Sequence, residues 1–174
     1  MATNELDTTV LNDDVTLSLS GPWVAYWALF LRVLVGYWFL HAGLTKVLFG
    51  FSAAGYLGGA SRGAITEPIM QVFANGALLT FTNYAVGWGE LLIGLGLLVG
   101  AFVRLASFFG GVLMFFFYFT NHGWANGMTN GDLWGLLLFV TLAILGAGRV
   151  WGVDGYLEDT EFVREHRWAR YLLG

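Results

Sequence analysis

The sequence predicts an all-α integral membrane protein, a bundle of four transmembrane helices with a short amphipathic helix between the first two. Three observations carry this. Of 174 residues, 57% are hydrophobic and only 11% are charged, against roughly 25% charged in soluble domains. Aromatics make up 17% of the chain and Gly occurs 25 times, the two enrichments expected of a polytopic membrane chain. Four apolar runs also approach the ~20 residues needed to span a bilayer.

Residues 1–22 open the chain as an acidic N-terminal tail. The stretch contains Glu5, Asp7, Asp13 and Asp14 and no basic residue, so it lacks the positive n-region and apolar h-region of a signal peptide. A retained, polar and partly disordered segment is expected. The membrane domain follows over residues 23–148. Its first apolar run is 23–47, the second 83–103, the third 104–120 and the fourth 133–148. The second and third are nearly fused, so a tight hairpin turn is expected between Gly100 and Arg104. Between the first two runs, "GFSAAGYLGGASRG" is Gly- and Ser-rich and reads as loop. "TEPIMQVFANG" reads as a short amphipathic helix along the membrane surface. Thr66 is its N-cap, Pro68 lies in the first turn, Ile69, Val72 and Phe73 share a face, and Asn75-Gly76 ends it.

Basic residues flanking the spans set the orientation. With four spans, one side carries Arg104, Arg149, Arg164, Arg167 and Arg170 against Lys46 and Arg62 opposite, which predicts a multi-pass cell-membrane protein with both termini cytoplasmic. The C-terminal tail, residues 149–174, mixes charges and reads as a short cytoplasmic helix. The absence of Cys excludes disulfides, dithiol redox chemistry, thiolate metal sites and covalent c-type haem. No metal or flavin motif is present, and the net charge of −4 argues against nucleic acid as a partner.

The intramembrane polar residues gather in one layer. Glu90 lies about 10 Å, and His41 about 9 Å, below the outer ends of their spans at 1.5 Å of rise per residue. Lys46 sits at that end of the first span, Asn121 and His122 close the third, and Asn130 and Asp132 open the fourth. Trp88 and Trp124 belong to the same layer. At 100° per residue Arg32, Gly36, Gly43 and Lys46 share one face of the first helix, with His41 opposite Arg32. Gly87, Glu90 and Gly94 share a face of the second. Small residues mark the packing face of membrane helices, so Lys46 is the expected partner of Glu90, and His41 is free to face a groove or a neighbour. Each residue also has a plainer reading: Glu90 as a helix lock, Lys46 as a snorkelling cation, His41 and His122 as interfacial residues, and Arg32 as a group bonded to helix carbonyls.

"FLRVLVGYWFLHAGLTKVLFGF", "VGWGELLIGLGLLVGAFVRLASFFG" and "GLLLFVTLAILGAGRVWGVDGYL", in that order, resemble the DoxX/DoxD family of four-helix membrane proteins over about residues 28–157. The resemblance implies a role near quinone redox chemistry, as in the membrane subunit of thiosulfate:quinone oxidoreductase, which pairs with a second subunit. On that reading Glu90, His41 and Lys46 are the candidate catalytic residues. Trp88, Asn121, His122 and Asp132 are the candidate quinone-binding residues. Quinone is the expected cofactor, with no haem, flavin or metal. The expected partners are a second oxidoreductase subunit or a soluble redox partner, membrane lipid, and a further copy of the chain. A non-catalytic scaffold for a respiratory assembly is the alternative. A b-type haem held by His41 and His122, and small-solute transport, are further alternatives.

Overall fold

In the computed structural model the described residues are 4–10, 13–19, 22–60, 66–120 and 127–174. Asn4–Val10 (β1) and Asp13–Leu19 (β2) pair antiparallel, with Asn4 opposite Leu19 and Val10 opposite Asp13. This corrects the expectation of a partly disordered tail. Leu6, Thr8 and Val10, then Val15, Leu17 and Leu19, alternate with polar residues at a period of two, the strand pattern, and the β-branched content favours it. The acidic composition hides that alternation.

Helix α1, Pro22–Phe49, begins on a proline whose missing N–H costs nothing in a first turn. Its 28 residues reach about 42 Å. The buried positions Ala28, Leu31, Arg32, Val35, Gly36, Phe39 and Gly43 recur at three- and four-residue intervals, one continuous stripe. The segment expected to be loop contains a second helix, α2, Ala54–Ala60. The correction has a packing cause: Ala53 and Leu57 are buried together with Met70, and that burial overrides the low helix propensity of Gly. Helix α3 is Thr66–Phe73. Met70 is buried and Phe73 packs against the same cluster, while Ile69 and Val72 are exposed.

Helix α4, Gly76–Val99, starts seven residues before the expected 83. Gly100 ends it in the left-handed region at φ +72°, a favoured Gly cap, and α5, Val103–Thr120, follows at once. Helix α6, Gly131–Leu145, is capped by the Asn130 side chain, which accepts from the Leu133 N–H at 3.0 Å. Among the described residues, α1, α4 and α5 are long and apolar enough to cross a membrane. Helix α6 is as apolar but has only 15 residues, about 22 Å, short of the ~30 Å hydrocarbon core.

The helices pack chiefly as α1 on α4 and α5 on α6, with α4 against α5 joining the pairs. Phe39 of α1 meets Phe139 of α6 edge to face at 4.7 Å, in a core with Leu97 and Leu142, all buried. The α1–α4 seam is set by glycines. A Cβ on Gly43 would lie 2.7 Å from Leu91 Cα, and one on Gly94 would lie 2.6 Å from Leu40 Cα, so the two backbones touch at both levels. Outside the seam, Trp27, Phe30, Leu34, Leu92, Phe108 and Ile144 are exposed. That apolar exterior is a surface for lipid rather than water.

Past α6 a 3₁₀ turn (Ala147–Arg149) leads to α7, Val153–Leu157, α8, Glu161–Glu165, and a second 3₁₀ turn, Arg167–Tyr171. Val163, Ala169 and Leu173 bury one another there.

Candidate functional site

Close approach of α1 and α4 at Gly43 brings the next turn of each helix into register, and two charged side chains meet there. Lys46 lies three residues beyond Gly43, and Glu90 lies four before Gly94, each on the seam face of its helix. Lys46 Nζ donates to Glu90 Oε2 at 2.5 Å and also lies 3.5 Å from the Ala42 carbonyl. The Glu90 side chain is 5% exposed and that of Lys46 is 23% exposed. The carboxylate is therefore withdrawn from solvent while one side of the ammonium is open. Phe51 sits over that ammonium, with its ring centroid 5.4 Å from Nζ, a cation–π contact.

Phe51 also forms part of the wall of a cavity of about 210 Å³ between α2–α3 and α4–α5. Val86, one turn before Glu90, lines the same cavity, as do Leu57, Met70 and Leu113. The ion pair and the cavity thus share Phe51 and the Val86–Glu90 turn.

The other sequence-predicted candidates sit elsewhere. His41 is exposed, with its ring 6.1 Å from that of Tyr37. It lines a shallow groove with Leu34, Trp38 and Leu138, away from the seam that holds Glu90. Trp88 is 48% exposed on α4. Asp132 is half-buried in the first turn of α6. Asn121 and His122 lie outside the described residues, as do Trp124 and Arg62. The one contact the structure makes among the described candidates is the Lys46–Glu90 pair.

A second polar cluster closes the opposite end. Arg32, 2% exposed, donates through Nη1 to the carbonyls of Ala147 at 2.7 Å and Val150 at 2.9 Å, and through Nη2 to Trp151 at 3.1 Å. These carbonyls belong to the 3₁₀ turn after α6 and the residues that follow it. Asp154, fully buried, accepts from the N–H groups of Phe102 at 2.6 Å, Val103 at 2.9 Å and Gly174 at 3.0 Å. Two of these donors open α5, so a carboxylate 51 residues downstream of Val103 does the work of an N-terminal cap and suits the positive end of the helix. It also holds Phe102, which is in the left-handed region at φ +52°. Burial pushes the Asp154 carboxyl above its usual value, and the three N–H groups oppose that. Arg104 completes the clasp by donating to the Ala143 and Arg170 carbonyls.

Arg32 was legible as a carbonyl-bonded residue, but Asp154 and Phe51 were not identified. The sign of the former was a lone Asp in the Gly-rich "GAGRVWGVDG" stretch, where close backbone approach is expected. Phe51 carried no signal, because a Phe beside a membrane helix end is ordinary.

Residues 27–123 match the model of the DoxX family. No curated protein and no solved structure matches the chain.

Proposed function

The chain belongs to the DoxX family, and from that premise we propose that it is the membrane subunit of a quinone-linked oxidoreductase of the thiosulfate:quinone oxidoreductase kind. It works beside a second subunit or a soluble redox partner in the cell membrane. Helix α6 is the short fourth span, α3 lies along the surface, and both termini are cytoplasmic, which turns the Lys46–Glu90 end outward. The observation that carries the reading is the buried Lys46–Glu90 pair sharing a wall with an apolar cavity. A buried ionisable pair in a membrane helix bundle is costly to insert and marks a functional position by default.

The residues fit a quinone on chemical grounds. The cavity side chains suit a hydrocarbon tail, and Lys46 has N–H donors beyond the one engaged by Glu90. A bound quinone supplies acceptance of two electrons and two protons. The protein's part is positional and electrostatic. Lys46 offers an N–H and a positive charge to a carbonyl oxygen on its open side. Glu90 holds the ammonium in place and is the group that exchanges a proton. Phe51 and Val86 keep water from the pair on the cavity side.

A second reading, a non-catalytic scaffold of a redox assembly, is favoured by a specific observation. The Lys46–Glu90 pair bridges α1 and α4, while His41 and Trp88 face elsewhere. The experiment that separates the two is Glu90→Gln, which keeps side-chain volume and an acceptor oxygen. In the assembled complex, thiosulfate-dependent quinone reduction should fall at least tenfold, about 1.4 kcal/mol in the barrier. Normal turnover with a lowered melting temperature would establish the pair as a helix lock and the chain as scaffold.

A further inference from the structure

The cavity between α2–α3 and α4–α5 has the chemistry of a chain-binding site rather than of a headgroup site. Its roof is formed by Leu57 of α2 and Met70 of α3, both buried, and its floor by α4 and α5. Of the three lining residues that carry a hydroxyl, Tyr56, Thr82 and Thr120, the two threonines are already committed. Thr82 donates to the Leu78 carbonyl at 2.8 Å, and Thr120 donates to the Phe117 carbonyl at 2.9 Å. The surface that faces the cavity is almost wholly apolar, so a polar group placed inside would go largely unpaired and the interior favours hydrocarbon. The volume of about 210 Å³, at the roughly 10–15 Å³ one water-sized group requires, has room for roughly 14–21 such groups. That is part of one chain, not the two chains of a bilayer lipid. Phe81 and Phe116 line the cavity while being themselves exposed, at 65% and 44%, so it opens sideways on the apolar exterior, where a membrane-dissolved molecule arrives. At its other side Phe51 leads to the partly open ammonium of Lys46.

We propose that this cavity binds a single hydrocarbon chain, the prenyl tail of the quinone, with the polar head outside it on the Phe51–Lys46 side. The assignment of the chain to a quinone rests on the function proposed above; the assignment of the cavity to a hydrocarbon chain does not. Ala85 of α4 and Val112 of α5 line the space from the two helices of its floor, and a larger side chain at either position fills it.

The test uses the full chain in detergent micelles. Calorimetry measures binding of two quinone analogues with the same head, one with a ten-carbon tail and one without a tail. A spin-labelled fatty acid serves as a chain with no quinone head. Ala85→Phe and Val112→Phe are each compared with the unaltered protein, so that one misfolded variant does not decide the outcome, and circular dichroism confirms helicity. The expected result is at least a tenfold weaker affinity of both variants for the tailed analogue, with the tail-less analogue changed less than twofold. Equal loss for both analogues, or no loss for either, overturns the assignment of the cavity. Binding of the fatty acid that the fillings abolish, without binding of either quinone analogue, upholds the chain site and overturns the quinone reading.

Discussion

Lys46 and Glu90 form a pair whose energetic coupling can be worked out from their exposure. Replacing Lys46 by Met leaves the Glu90 carboxylate, 5% exposed, without its cation. Breaking a buried pair from one side costs about 3–5 kcal/mol. The lysine side chain is 23% exposed, so water reaches that flank and the expected loss lies at the lower end, about 3 kcal/mol. Glu90→Leu strands the ammonium instead. That group keeps the Ala42 carbonyl and the Phe51 ring and can turn outward along its flexible stem, so about 1 kcal/mol is expected. The double variant removes both charges and leaves a Met against a Leu, with a net cost of about 1 kcal/mol. The coupling is the difference between that value and the sum of the single losses, about 3 kcal/mol, at the upper end for residues in contact. Reversible unfolding in mixed micelles, followed by helical circular dichroism, measures all four corners of the cycle. A double variant that loses the full sum, about 4 kcal/mol, would refute the argument, because additivity means that the two groups do not sense one another.

Two further outcomes follow from the opposite end of the bundle and from the orientation. Burial raises the Asp154 carboxyl above its ordinary value of 3.8, so its contribution is fully present below about pH 4 and is lost as pH rises through the folded-state value. The melting-temperature advantage of the unaltered protein over Asp154→Asn should therefore shrink as pH rises above about 4, and an advantage that grows with pH refutes the assignment. The chain has no native Cys, and Gln71 and Asp159 are exposed at opposite ends of the helices. In intact cells an impermeant thiol reagent should label Gln71→Cys and leave Asp159→Cys unmodified, and the reverse pattern would invert the proposed topology.

The sequence alone determined those features that depend on composition and on spacing within one helix. Apolar run length placed α1, α4, α5 and α6 because an unpaired backbone in lipid leaves the chain little choice but helix. The three- and four-residue spacing of Gly36, Gly43 and Lys46, and of Glu90 and Gly94, identified the seam and the pair across it, since small residues mark where membrane helices touch. What spans two distant segments was decided by the tertiary structure. Helix α2 forms among glycines because Ala53 and Leu57 are buried beside Met70, a gain that no local propensity registers. Phe51 matters because a bend after α1 returns it over Lys46. Asp154 caps α5 from 51 residues beyond Val103 because Arg32 gathers the carbonyls that follow α6 and holds that turn beneath Phe102. Such partners are fixed by proximity in space, and a helical period carries no record of which distant residue will fill it.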